Sequence, residues 1–455
     1  MSKPTPLSGF PELLPAQRAA ELAVIDQLRR VFELHGFASL ETRIVEPLDR
    51  LAKGAEIDKE IYVLRRLQAG ADEEASDSEL GLHFDLTVPF ARYVLENSGR
   101  LEFPFRRYQI QKAWRGERPQ EGRFREFTQA DVDIVAKDEL PLHYDVEVAR
   151  VVSAALAPLP LPAMSLQVNS RRLIDGFYRG LGAADPQLVI RIMDKFDKLP
   201  RDVIVDRLVD AAGLDSPQAQ ACLRLAEIRT PDTSFVGQVR ALGVEHELLD
   251  AGLTELAAVI DGCSQAGSDR FTIEANLRIA RGLDYYTGTV FEIYMNGFES
   301  LGSVGGGGRY DALASDGSIT YPGVGISFGI SRTLVPLFQR GLLTGSRAVP
   351  SAVLVALVDE ESRPASDAVA QQLRGRGIAT EVAGSAQKYG RQIRYADRRG
   401  IPFVWFPATD GSGDQVKDIR SGDQVDADPV SWQPPAVDLR PHVVATTSSS
   451  KEQDR

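Results

Sequence analysis

Residues 103–136 read FPFRRYQIQKAWRGERPQEGRFREFTQADVDIVA. Two alternating apolar and polar runs flank a segment rich in charge, proline and glycine. The pattern predicts two antiparallel strands joined by a loop that holds Glu117, Arg118, Pro119, Gln120, Glu121 and Gly122. Residues two apart on a strand share a face. Arg123 and Arg125 then point one way, and Phe127, Gln129, Asp131 and Asp133 continue on that parity if no bulge intervenes. Arginine offers a planar fork matched to phosphate oxygens, and Phe127 a ring on which a base can stack. One such face could bind a nucleotide together with a small polar molecule. A salt-bridged, solvent-facing sheet explains the same residues without a ligand.

Upstream, apolar residues at helical spacing predict a helix from Ala16 to Leu34 that stops at Gly36. FASLETRIVEPLDRL (37–51) predicts a strand broken at Pro47 ahead of another helix, and residues 71–80 an acidic loop between strands. LGLHFDLTVPFARYVLEN (80–97) passes from strand to helix near Thr87 and Pro89, since proline suits a first helical turn. Asp85 and Thr87 fall on one strand face, where they could receive an ammonium group. Taken alone, Thr87 reads more readily as an ordinary helix N-cap.

Downstream, residues 168–267 are helical in texture. FTIEANLRIARGLDYYTGTVFEIYM (271–295) predicts a second antiparallel pair, with Tyr285 and Tyr286 facing opposite ways. SVGGGGRYDAL (303–313) carries four consecutive glycines. A phosphate loop would end in lysine and a hydroxyl, whereas these glycines run into Arg309, Tyr310 and Asp311. They read better as a strand whose missing side chains leave room for a ligand or another backbone. GVGISFGISRTLVPLFQRG (323–341) predicts a strand that turns into a helix. Beyond residue 348, strands and helices alternate, which predicts a small α/β domain with a mainly parallel sheet. Residues 445–455 are polar and expected to be disordered. The whole is an antiparallel α+β unit with a helical interruption, followed by a smaller α/β domain. It is not a doubly wound nucleotide fold.

Composition narrows the function. A hydrophobic share of 43% and a charged share of 25% are those of a globular protein of several domains. No apolar run approaches the roughly 18 residues of a membrane helix, and the first residues lack the pattern of a secretion signal. With only Cys222 and Cys263, no disulfide framework is expected, which suits a reducing cytoplasm. The five histidines are scattered, so no zinc site is expected. A net charge of −12 argues against non-specific nucleic-acid binding. Yet seven basic residues lie between Arg106 and Arg125, and a second basic stretch, KYGRQIRYADRRG, begins at Lys388. Two such segments suggest one extended polyanion touched in two places; solvated charged faces are the plain alternative.

Together these segments resemble the histidyl-tRNA synthetases, which are class II aminoacyl-tRNA synthetases. RGLDYYTGTVFEIY and GGGGRYDAL look like the two histidine-specific motifs of that family. WRGERPQEGRFREFTQ resembles class II motif 2, GVGISFGISR motif 3 and ETRIVEPLDRL motif 1. KYGRQIRYADRRGIPFVWF is similar to its anticodon-binding domain. The resemblance spans the chain apart from its polar ends.

The resemblance implies a domain plan: a catalytic domain at 1–167 and 268–345, a helical insertion at 168–267, an anticodon-binding domain at 350–444 and a tail at 445–455. It implies that histidine is activated by ATP, with Mg2+, to histidyl-adenylate, and is then passed to histidine tRNA. By position, Arg115 and Arg281 match the arginines at the α-phosphate, and with Gln129 form the catalytic set. Glu117, Arg123, Phe127 and Arg332 match ATP contacts. Asp85, Thr87, Gln129, Asp133, Tyr285, Tyr286 and Tyr310 match the histidine pocket, together with Arg115 and Arg281. Gln120 falls where the tRNA acceptor end is met. A cytoplasmic homodimer without a metal site or an editing domain is further implied. Many bacterial members carry glutamate where Asp85 and Asp133 stand, so the side-chain reach differs here. Two rivals share much of the pattern. One is the synthetase-like regulatory subunit of histidine biosynthesis, which typically lacks the anticodon domain; the other is a class II enzyme for a different amino acid.

Overall fold

The structure is a computed structural model, and it describes residues 5–51, 60–65, 80–279, 285–315, 317–408 and 412–446. The chain divides into two compact units: Met1–Pro11 with Gln27–Val335, and Glu12–Asp26 with Pro336–Arg455.

The first unit is built on a nine-stranded sheet. Across it lie Ala38–Ser39, Phe105–Trp114, Glu126–Val135, Gly323–Gly329, Gly305–Tyr310, Thr289–Met295, Met164–Ser170, Phe271–Asn276 and Arg229–Thr230. All neighbours are antiparallel except the first pair and the pair Met164–Ser170 with Phe271–Asn276. Strand alternation gives the sheet two unlike faces. Val132, Ile134, Val324, Phe328, Phe291, Ile293, Leu166 and Val168 are buried on one of them, and the helices His143–Leu156 and Glu247–Gly262 pack against the sheet. Arg309 shares the apolar parity but pairs with Asp145 of the first helix and donates to the Leu140 carbonyl at 2.8 Å. The opposite face carries Arg107, Gln109, Gln129, Asp131, Asp133, Ser327 and Tyr310, all in register across four strands.

Several expectations need correction. The 271–276 and 289–295 strands are not neighbours: Met164–Ser170 lies between them. The excursion through residues 171–270 returns the chain on the far side of that strand, as a parallel crossover does. The helical stretch starts at Arg171, because residues 164–170 form a fully buried strand, and it contributes the strand Arg229–Thr230 to the sheet. The 37–51 segment is two short strands, Ala38–Ser39 and Val45–Pro47, and the helix Leu48–Leu51.

Asp85 and Thr87 do not share a strand face. The strand Leu80–Leu82 has ended, and Thr87 opens the helix Thr87–Asn97. It is Asp85, not Thr87, whose carboxylate caps this helix, accepting from the Val88 N–H at 3.1 Å. Pro89 has no N–H to offer, which leaves Val88 as a donor needing a partner. Arg123 and Arg125 lie in the 115–125 loop, not on the strand. There Gly122 takes φ +71° and the Arg125 N–H is drawn to the Gly9 carbonyl at 2.7 Å.

The second unit holds a five-stranded sheet in the order Thr380–Val382, Val353–Val355, Phe403–Phe406, Gln415–Asp418, Gln424–Asp426. The first three are parallel and the last two antiparallel. Val353, Val355, Val369, Leu373, Phe403 and Trp405 form its core. Helix Tyr389–Arg399 ends at Gly400 with φ +74° and leaves Arg391, Arg394 and Arg398 exposed. The segment from Pro336, expected to belong with the first unit as far as residue 345, groups here instead: Leu343–Gly345 pairs with Val443–Ala445. From residue 447 the expected tail lies outside the described residues.

Candidate active site

On strand Glu126–Val135, the residues Phe127, Gln129, Asp131 and Asp133 face one side, spread over roughly 20 Å of extended chain at about 3.3 Å per residue. The Asp133 end opens into a small pocket lined by Thr87, Asp131, Asp133, Tyr286, Gly306, Tyr310, Gly325 and Ser327, among others. The pocket exists because glycines let large groups lie flat on the sheet. A Cβ on Gly325 would stand 2.1 Å from Asp133 Oδ1. At Gly306 the closest atom to such a Cβ is a backbone oxygen at 3.1 Å, so a side chain there would project into the pocket.

The pocket is acidic. Tyr310 donates to Asp133 Oδ1 at 3.0 Å. Asp131 accepts from Gln129 Nε2 at 3.0 Å and from the Ser327 hydroxyl. Burial pushes the Asp133 carboxyl up to about 6, against the opposing pull of Arg107. It pushes Asp85 up to about 7, only partly offset by the Val88 hydrogen bond and by Arg115. Asp85 Oδ2 and the Tyr285 hydroxyl are buried and lack a hydrogen-bond partner among the described residues. Tyr285 and Tyr286 stand in the turn before strand Thr289–Met295, not on a strand. Their rings meet edge-on at 4.8 Å, and Tyr285 also meets Tyr310 at 6.3 Å. Both therefore border one cluster, where a strand would have separated them.

The Phe127 end is basic. Arg115 Nε donates to the Phe84 carbonyl at 3.0 Å, and its guanidinium lies 5.1 Å from the Phe127 ring centroid. Arg332, on helix Ile330–Gln339, donates to the Leu301 carbonyl. Burial, then the charges of Arg123 and Arg115, hold Arg332 down at about 10. Three arginines thus crowd one another, with Glu117 paired to Arg123 at 3.1 Å. Gln120 is exposed in the same loop. Arg281 lies outside the described residues.

Sequence reading missed Arg107, Asp131 and Ser327 as members of the site. Asp131 was on the right parity; Arg107 became visible only once the hairpin register set it opposite Asp133. The expected basic patch from Arg106 to Arg125 is largely consumed internally. Arg106 pairs with Glu147, Arg107 with Asp133, Lys112 with Glu126 and Arg123 with Glu117.

A largely antiparallel sheet with a long hairpin, an arginine-rich end and a polar pocket has the form of the class II aminoacyl-tRNA synthetase fold. Residues 9–333 match the model of the histidyl-tRNA synthetase family, and residues 352–406 that of an anticodon binding domain. The chain belongs to the histidyl-tRNA synthetase family. It is 54% identical to a histidine–tRNA ligase of Cutibacterium acnes over 98% of this chain and 100% of that one. A histidine–tRNA ligase of Micrococcus luteus is 53% identical over 97% of this chain and 99% of its own length. Among solved structures, a histidyl-tRNA synthetase from Nostoc superposes with a TM-score of 0.82 at 33% identity, covering 94% of this chain and 97% of that one.

Proposed function

We propose that the two poles of the Glu126–Val135 strand divide the work of a histidine–tRNA ligase, the acidic pocket taking histidine and the arginine cluster taking ATP. Family membership makes the chain an aminoacyl-tRNA synthetase, and the match of residues 352–406 to an anticodon binding domain fits tRNA as its macromolecular substrate. The observation that carries the division is electrostatic. Burial holds Asp85 and Asp133 above the usual carboxylate range at one pole, and burial together with the neighbouring Arg123 and Arg115 holds Arg332 below the usual arginine range at the other, so a cationic group suits the first and an anionic group the second.

In this reading Asp85 and Thr87 receive the ammonium group of histidine, and Asp133 and Tyr286 meet its two ring nitrogens, with Tyr285 and Tyr310 closing the pocket. Gln129 and Arg115 reach the carboxylate. That carboxylate attacks the α-phosphorus of ATP, pyrophosphate leaves, and the terminal adenosine hydroxyl of the tRNA later displaces AMP from the activated carbonyl. Arg115 and Arg281 would stabilise charge at the α-phosphate, Phe127 would stack on adenine, and Glu117, Arg123 and Arg332 would hold the remainder of the nucleotide. Such chemistry needs positioning and charge stabilisation above all. Magnesium would arrive on the ATP phosphates and help neutralise them. Gln120 would meet the acceptor end, and the stretch 168–267 the tRNA body.

A pocket that pairs both imidazole nitrogens rejects analogues lacking them by roughly 10⁴ to 10⁵ without editing. A cytoplasmic homodimer completes the proposal. Among the described residues no helix is long and apolar enough to cross a membrane. ATP–pyrophosphate exchange assayed with each amino acid tests the assignment. Exchange should depend on histidine alone, and no exchange, or exchange driven by another amino acid, would overturn it.

A further inference from the structure

Behind the pocket lies an arginine that none of the motifs requires. Arg107 is 0% exposed, a rare condition for this side chain. Its Nη2 lies 2.8 Å from Asp133 Oδ2 and 3.8 Å from Asp131 Oδ2, and its guanidinium sits 4.3 Å from the Phe90 ring centroid. Nη1 reaches Gln109 Oε1 at 3.4 Å. The strand register produces this contact, because Arg107 and Asp133 are cross-strand partners.

The consequence for Asp133 is geometric. Arg107 engages Oδ2 while the Tyr310 hydroxyl donates to Oδ1. Asp133 thus has a buried ion pair at one oxygen and a hydrogen bond at the other, with Gly325 leaving no side chain between it and the neighbouring strand. The Phe90 ring packs within cation–π distance of the guanidinium and backs the pair on its far side from solvent. Two buried carboxylates share this single close arginine, so the trio carries one excess negative charge facing the pocket. The other titratable or charged groups that act on it are Tyr286 from its turn, Asp85 from the start of helix Thr87–Asn97, Arg115 and the buried His83.

We infer that Arg107 is a positioning residue for amino-acid recognition: from behind the pocket it holds Asp133 as an oriented carboxylate, ready to accept the N–H of an imidazole ring. The inference deepens the proposed function and rests on its assignment of Asp133 to that ring. Arg107 touches no substrate. Its effect is confined to the pole that reads the amino acid, and the arginine cluster at the nucleotide pole is untouched.

The test is steady-state pyrophosphate exchange by full-length Arg107→Met, Arg107→Lys and Asp133→Asn enzymes, with the KM for histidine measured from pH 5.5 to 8.5. Arg107→Met should raise the histidine KM about tenfold or more, the scale expected when a buried charge loses its close partner. The KM for ATP should stay near the wild-type value, and the acidic limb of the histidine profile should move to higher pH. Arg107→Lys keeps the charge but not the stacked fork, and should recover part of the profile. Should Arg107→Met fail to fold, the double variant Arg107→Met with Asp131→Asn preserves the net charge of the trio. It should still show the raised histidine KM. A folded single or double variant with wild-type histidine KM and an unmoved profile would overturn the inference. An unchanged histidine KM in Asp133→Asn would instead overturn the assignment of Asp133 on which it rests.

Discussion

Asp85 and Asp133 are acids whose protons are hard to remove, and this has a sign that can be measured. Burial lifts the two carboxyls to about 7 and about 6, above the value of about 4 they have in an unfolded chain. Between pH 4 and pH 7 the folded, ligand-free protein therefore binds more protons than the unfolded one. Stability contributed by these two groups is complete below pH 4 and is lost as the pH rises through 6 and 7. Histidine reverses the requirement, because an ammonium group and a ring N–H need ionised partners. The affinity for histidine should accordingly fall as the pH drops from 7.5 to 5.5, and bound histidine should raise the melting temperature more at pH 7.5 than at pH 5.5. Replacing Asp85 by Asn should flatten the upper part of the ligand-free stability profile. Thermal melts across this range, with and without histidine, provide the check, and a pH-independent histidine shift would contradict the role given to these carboxylates.

At the scale of elements, the glycine-rich strand Gly305–Tyr310 separates two requirements that the sequence alone had merged. Gly306 and Gly307 are adjacent, so they point to opposite faces of the sheet. A Cβ on Gly307 would stand 2.0 Å from the Gly325 carbonyl of the neighbouring strand, whereas one on Gly306 would enter the pocket. Gly307→Ala should therefore cost stability, by about 1–3 kcal/mol as overpacked sites do, and depress histidine and ATP use together. Gly306→Val should leave the melting temperature within a few degrees of wild type and raise the KM for histidine well beyond that for ATP. Melting curves and the two KM values distinguish the cases. The same strand shows what was legible in advance. The missing lysine excluded a phosphate loop, and period-two alternation placed Gln129, Asp131 and Asp133 on one face correctly. Chain-local patterns could not show that Met164–Ser170 would insert between the 271–276 and 289–295 strands, because that is decided by where a hundred-residue excursion returns. Nor could they reveal Arg107 behind Asp133, since cross-strand partners depend on register. Arg123 and Arg125 were misplaced for a related reason: strand parity was extended into a loop whose turn at Gly122 breaks it.

At the scale of the molecule, the polar pocket and the segment that matches an anticodon binding domain lie in separately packed parts of the chain. The described residues of the pocket and of the arginine cluster belong to the unit Gln27–Val335. The segment matching an anticodon binding domain, with the exposed Arg391, Arg394 and Arg398 on helix Tyr389–Arg399, belongs to the other. That unit has its own core around Trp405 and its own sheet. Ending the chain after Ala348 removes the whole five-stranded sheet, and also Val443–Ala445, the partner of Leu343–Gly345. The truncated protein should still run histidine-dependent pyrophosphate exchange, within roughly tenfold of the full chain, because no described pocket residue is lost and domains with their own cores tend to fold as units. Transfer to tRNA should fall by a factor of about 10² or more, as a second point of attachment contributes through effective concentration. Both reactions can be followed on one preparation. Parallel loss of the two activities in a protein that retains its cooperative melt would mean that the C-terminal unit supports the catalytic site itself, and the division of labour argued from the two separate cores would fail.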